Sequence, residues 1–559
     1  MNKPVIAIGL DATNPELLEK WMSEGHLPNL SKMRERGSYG RLNNFVEYSD
    51  GVTQTADTER IWVTFLTGCL PHKTGYWASL KLERGTYNFT RDRIAAIYDY
   101  QEYPLFYALD EKHLVCIFDV PGATLSNQVN GLQVLGWGGH AQNTLNHSQP
   151  PELLSDLIKE YGKNPLINND FGFWWDKAYI NRIQKSINRS TSARAAICRD
   201  LIKRQPWNLF LTVFGDTHAV SHDFWHLSQP DHPLYSHHPV DTTSGDAILD
   251  AFKEVDRAVG EILAAAPKDA YKLIFSVHGM GKNTADLFTM VYLAEMMYRF
   301  SFPGKSMLPG GKLGTTPPPI ITNPKRRTWM GEVWQYFDNT NLTKSLLKRW
   351  TPGKLQKKLD KLFGNVGFSA LSQPTEGNLY WHPTIWYQQF WPEMKAFSLP
   401  FFEGGHIRIN LKGREPNGIV DVSEYNSLCE ELTEKLYRLT DGRTGEPIVQ
   451  KVIRTRDNGM DDDRKLPDPD LVVLWRDRPT DVVDSPDWGR IGPITYGRSG
   501  GHRPYGFLLA EGEGIPANSS LSEGRAVDLT ATILDLMGAE IPEYLDGQSL
   551  LKSSFARSL

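Results

Sequence analysis

Five short apolar runs constrain the fold more than any other feature of the chain: Val5 to Leu10, Leu114 to Phe118, Leu209 to Phe214, Leu273 to Val277 and Leu471 to Trp475. They are rich in β-branched and aromatic residues, do not alternate with polar ones and stop at turn or polar residues, the pattern of strands buried on both faces of a parallel sheet. Between them lie amphipathic stretches, Pro15 to Arg36, Thr191 to Arg204 and Asp246 to Ala265, long enough to be helices crossing between parallel strands. The expected fold class is α/β: a doubly wound, mostly parallel sheet flanked by helices.

The pattern breaks between Ser301 and Arg327, where Gly310-Gly311 and Pro317-Pro318-Pro319 interrupt any helical or strand period. Thr328 to Pro400, rich in Trp, Lys and Phe, reads as an inserted cap, and core-like sequence resumes near Phe402. The expected organisation is a first part of the core over 1–300, an inserted loop and cap region over 301–400, and a second part of the core over 401–559. A chain of 559 residues exceeds the size at which one simple core stops growing, which accommodates such an insertion. Within the insertion, Trp381, Trp386, Tyr387 and Trp391 are either a wall for a base, sugar or lipid group or, more simply, core packing. Arg408 and Arg414 either reach a site or decorate an edge strand with outward charge.

Sixty-one basic against 66 acidic side chains leave a net charge of −5, so no global positive field draws nucleic acid. The four cysteines, Cys69, Cys116, Cys198 and Cys429, are scattered without metal-binding or disulfide-framework spacing. The opening Met-Asn-Lys-Pro runs straight into the first strand, leaving no signal-peptide apolar region, and no run approaches the roughly 18 apolar residues of a membrane span. The expected location is cytoplasmic.

Ligands of open parallel sheets bind outside the carboxyl ends of the strands, which makes the residues following each run the candidates for chemistry. Asp11 follows the first strand, His218 and His222 follow the run ending at Phe214, His278 follows Val277, and His502 lies in Ser499-Gly500-Gly501-His502. Two histidines four residues apart share one face of a helix, and with a third imidazole they make an open zinc site. The plainer alternatives are a polar, histidine-rich surface loop including His226, His232, His237 and His238; an N-capping Asp11; a satisfied buried His278; and a His502 that is only a loop residue.

These residues sit in segments that resemble the type I phosphodiesterase and nucleotide pyrophosphatase group of the alkaline phosphatase superfamily. The resemblance is carried by Gly9-Leu10-Asp11 with Gly25-His26-Leu27-Pro28-Asn29-Leu30, by Thr64 to Gly75, by Ser276-Val277-His278-Gly279-Met280-Gly281, by Gly501 to Gly506 and by Leu529 to Gly538. It implies an alkaline-phosphatase-like fold and a nucleophile at Thr58, ten residues before Gly68. It further implies one metal held by an Asp, a His four residues later and a distal His, and another held by the first Asp, the nucleophile and an Asp-His pair. Here His218 and Val277 stand where the resemblance places aspartates, so the implied sets become His218, His222 and His502, and Asp11, Thr58 and His278. Asp216 and Asp57 are candidate substitutes for the lost carboxylate, and Arg60 is a candidate clamp for phosphoryl oxygens, against the plainer reading of a solvated arginine in a first helical turn.

The implied activity is metal-dependent hydrolysis of phosphodiester or pyrophosphate bonds through a phospho-threonine intermediate, with one or two Zn2+ ions or Mn2+ and a small-molecule ester as partner. Sulfate-ester or phosphomonoester hydrolysis or transfer on the same scaffold, and a single-metal, non-catalytic binding protein, are the alternatives. A formylglycine sulfatase is disfavoured, because Cys69 is followed by Leu70-Pro71-His72-Lys73 rather than x-Pro-x-Arg.

Overall fold

The computed structural model describes residues 3–91, 102–108, 111–138, 147–167, 169–235, 237, 243–326, 328–337, 346, 379 and 381–551. His238 and most of the expected cap lie outside these residues.

Nine strands form the central sheet: β1 (Val5–Leu10), β2 (Ser38–Asn43), β3 (Val115–Phe118), β4 (Gly131–Leu135), β5 (His147–Gln149), β6 (Leu209–Phe214), β7 (Tyr271–Ser276), β8 (Tyr505–Glu511) and β9 (Ser519–Ser520), in the spatial order β9-β2-β8-β7-β1-β6-β3-β4-β5. The middle five, β7-β1-β6-β3-β4, are parallel, while β5 and β8 pair antiparallel with the strands beside them. The expected α/β class is therefore observed.

Both faces of β1 are buried, which is why its sequence shows no alternation. Ile6, Ile8 and Leu10 join the apolar cluster beneath helices α1 (Pro15–Ser23), α3 (Lys177–Arg204) and α5 (Ala247–Ala265), whereas Val5 and Ala7 join the one beneath α2 (Thr58–Thr67) and α6 (Ala526–Met537). Between α3 and α5 runs α4 (Asp216–Ser228), directly after β6. No helix among the described residues is long and apolar enough to cross a membrane.

Several local expectations need correction. Leu471–Trp475 is not part of the parallel sheet: it lies between Gly405–Ile409 and Val449–Arg454 in a separate four-stranded antiparallel sheet. A fully buried apolar run looks the same in either setting. The hairpin Ala396–Leu399 to Gly405–Ile409 also runs across position 400, where the insertion was expected to end. Pro15 to Arg36 is two helices, Pro15–Ser23 and Pro28–Arg36, separated at Gly25 by a left-handed turn. Arg408 and Arg414 are neither outward-facing nor at the cleft. Both are buried in a network in which Arg408 donates to Glu415 and Arg414 grips Asp470. Trp386, Tyr387 and Trp391 pack into the second unit's core, with Trp381 against its edge. The four cysteines are buried and unbridged.

Candidate active site

β1 is flanked by β6 on one side and β7 on the other, so the segments leaving their three carboxyl ends meet in one crevice. Asp11 leaves β1 fully buried, and its Oδ1 accepts from the Trp62 indole at 3.2 Å. It does not cap the next helix, because Asn14 takes that role by accepting from Leu17 N.

Thr58 is the first residue of α2, which starts at Asp57, whose carboxylate accepts from Arg60 N at 2.8 Å, and ends at Gly68 in the left-handed region. This capping aims the helix N-terminus, with its partial positive charge, at the crevice. Thr58 Oγ1 lies 2.6 Å from His278 Nε2, and the same nitrogen is 3.3 Å from Asp11 Oδ1. Three residues separated by up to 267 positions thus converge on one point with oxygen, oxygen and nitrogen donors. Val277 contributes only its carbonyl here, accepting from Asn44, while its side chain belongs to the apolar core.

The second cluster adjoins the first. His218 and His222 project from one face of α4, and His502 reaches them from Gly500–Arg503, a strand paired antiparallel with Gly279–Lys282. The three Nε2 atoms are 3.0 to 3.1 Å apart. Gly500 permits this approach, since a Cβ there would lie 2.1 Å from the Ser221 carbonyl oxygen. His222 Nδ1 donates to the Gly500 carbonyl at 2.7 Å, leaving Nε2 as the lone-pair atom turned to the other two rings.

This donor set fits a metal ion. Three imidazole nitrogens on a tetrahedral zinc, at about 2.0–2.1 Å each, stand about 3.3 Å from one another. Among groups of three or more His, Cys, Asp or Glu side chains in the described residues, His218, His222 and His502 have ligand atoms close enough to share an ion.

Asp216 stands apart from this cluster. Its carboxyl, raised by burial, lies 3.6 Å from Arg194, which also grips Asp119 at 2.5 Å beneath the sheet's rim. Arg60 is not solvated: it is 3% exposed, with Nε donating to the Trp77 carbonyl and Nη1 to Thr55. His226 and His232 are buried, and among the described histidines of the expected surface loop His237 is the exposed one. Asp57 is raised to about 7 by burial, against the lowering effect of Arg60.

Two residues absent from the expectations stand at the site. Arg498 forms a two-pronged pair with Asp286 at 3.0 Å and reaches to 3.5 Å of His222 Nε2. Glu403, from the turn of the antiparallel hairpin, places Oε1 2.9 Å from His502 Nδ1. Burial raises its carboxyl to about 7, against the pull of His278, Arg503 and Arg60. The Gly404-Gly405 step between two apolar runs is a legible hairpin signal, but nothing in the sequence says where that turn points. A cleft of about 1020 Å³ opens over this region, lined among others by Tyr48, Arg60, Glu403, Trp475, His502 and Arg503.

A mostly parallel sheet whose central crevice gathers oxygen and imidazole groups at a helix N-terminus is an α/β fold with its candidate site at the strands' carboxyl ends. The sequence model described as Type I phosphodiesterase / nucleotide pyrophosphatase matches residues 5–313, more than half of the chain, and the chain belongs to that family. It matches no curated protein sequence. Among solved structures it is similar to phosphonoacetate hydrolase from Sinorhizobium meliloti 1021 in complex with phosphonoformate, at 11% identity over 96% of each chain with a TM-score of 0.46. It is also similar to human ectonucleotide pyrophosphatase / phosphodiesterase 5, at 12% identity over 97% of this chain and 96% of that one, with a TM-score of 0.43. The murine counterpart in complex with AMP stands at 11% identity, the same coverage and a TM-score of 0.43.

Proposed function

We propose that the chain hydrolyses phosphodiester or pyrophosphate bonds in small-molecule esters, with Thr58 as nucleophile. The observation that carries this reading is the convergence of Thr58 Oγ1, Asp11 Oδ1 and His278 Nε2 beside the three-histidine cluster. Divalent cations, zinc or manganese, held by His218, His222 and His502 and by Asp11, Thr58 and His278, would neutralise phosphoryl oxygens and favour the ionised threonine.

The chain's own residues supply the rest. Thr58 Oγ, its proton given up to solvent, attacks phosphorus, and the bond to the leaving oxygen breaks with its electron pair, that oxygen taking a proton from solvent. Water then attacks the phospho-threonine, the P–Oγ bond breaks, and the hydroxyl is restored. The N-terminus of α2 directs backbone N–H groups at the phosphoryl group, and buried Arg60 adds a fixed positive charge to the cleft floor.

The test is metal content per chain after equilibration with zinc or manganese, together with hydrolysis of an aryl phosphodiester, a phosphomonoester and a sulfate ester. About two ions per chain and a preference for the diester support the reading. Preference for the monoester or the sulfate overturns it. One observation favours a second reading, a mononuclear centre: the apolar Val277 leaves Asp11 as the sole carboxylate among the second set. A stoichiometry near one selects it.

A further inference from the structure

We infer that Glu403 is the positioning residue of the three-histidine centre, and that the antiparallel unit thereby completes a site otherwise built on the parallel sheet. The inference rests on the proposed metal-binding role of His218, His222 and His502.

An imidazole binds a cation only through an unprotonated nitrogen, so a ring that presents Nε2 must keep its proton on Nδ1. For His222 that proton is fixed by the Gly500 carbonyl, on the strand that carries His502. For His502 it is fixed by Glu403 Oε1, 2.9 Å from Nδ1 and 99 positions away in sequence. A carboxylate in this role also raises the ring's basicity, and its negative charge offsets part of a divalent ion's charge.

The turn that carries Glu403 is held rigidly. Phe401 stacks on His406 at 3.8 Å with a 15° interplanar angle and lies 5.8 Å from the Arg60 guanidinium. Its carbonyl accepts from His382 Nε2 at 3.0 Å, and Phe402 stacks on Trp381 at 14°. Gly405, at the start of the returning strand, has Leu293 and Trp475 within 2.8 Å of where a Cβ would stand, so the turn is wedged against the second core. A side chain placed by this much packing is prepared for one orientation, which is what a residue that orients a ligand needs.

The experiment is a zinc titration against a competing chelator for the full chain and for Glu403→Gln and Glu403→Ala, with the cobalt-loaded visible spectrum as a second readout. Glu403→Ala is expected to weaken zinc about 10- to 100-fold and to shift the cobalt bands, whereas the near-isosteric Glu403→Gln, which keeps an acceptor but no charge, loses less. Matching chemical-denaturation midpoints of the metal-free proteins separate this effect from misfolding. Affinities within twofold of the parent for both variants overturn the inference while leaving the three-histidine reading in place. No zinc binding by the parent chain overturns both.

Discussion

The hydroxyl of Thr58 stands 2.6 Å from His278 Nε2, although 220 residues separate them. Thr58 is set by the capped start of α2, His278 by the end of β7, and their meeting depends on how α2 packs beneath the sheet.

Thr58→Ala is expected to abolish turnover of an aryl phosphodiester while leaving bound zinc at the three histidines unchanged, because those ligands come from α4 and the strand Gly500–Arg503. Thr58→Ser should keep measurable turnover. Steady-state kinetics alongside elemental analysis read both, and undiminished turnover in the alanine variant removes Thr58 from the mechanism.

If the parent holds near one ion, Val277→Asp is expected to raise metal stoichiometry, since it returns a carboxylate next to His278. The variant also places a polar group against an apolar cluster and should lose stability by about 1–3 kcal/mol unless metal is present. Elemental analysis and denaturation with and without zinc test both halves. An unchanged metal count would mean that another residue already fills the role.

Asp470 anchors the second unit. It accepts from Arg414 at 2.7 and 2.8 Å, from Tyr425 and from Ile409 N, and lies 3.4 Å from Arg456. Burial alone would raise its carboxyl, but Arg414, with Arg456 and Arg408 behind it, holds it well below the usual range. A depressed carboxyl adds stability that is present above its unfolded value near 3.9 and is lost as pH falls through the folded value. Asp470→Asn at neutral pH should therefore cost about 3–5 kcal/mol, by stranding buried arginines. Urea unfolding of the two chains measures the difference.

His382 runs the opposite way. Burial lowers it from 6.5 to about 4, so the folded chain keeps it neutral while the unfolded chain takes up a proton. Its contribution is intact above pH 6.5 and declines progressively to pH 4, by roughly 3 kcal/mol in total. Comparing denaturation midpoints of the parent and His382→Gln from pH 7.5 to 4 should show a shallower decline in the variant. Parallel curves would dismiss the assignment.

The central strands and the residues that follow them were legible because burial on both faces leaves an unmistakable apolar run, and because strand ends in such sheets meet at one crevice. Asp11, His218, His222, His278 and His502 lie close together there, and Thr58, which only the family resemblance pointed to, lies beside His278. Leu471–Trp475 was misplaced because burial, not strand direction, dictates its composition. For Arg60 the helical position left two readings open, a clamp for phosphoryl oxygens and a solvated arginine, and Trp77 and Thr55, which lie outside the helix and enclose it, exclude the second. Glu403 was invisible for a related reason: its role comes from the docking of one sheet's turn onto another sheet's rim, and no local pattern encodes that contact.

Completion of the histidine set has an order in time. His502 is added to the growing chain 284 residues after His218, and Glu403 falls between them. A nascent or truncated chain that ends before residue 500 has the His218–His222 pair of this set but not its third imidazole. On the proposed reading, loading of the three-histidine centre therefore requires that the chain has been made through His502 and folded, and fragments ending before it would lack that centre.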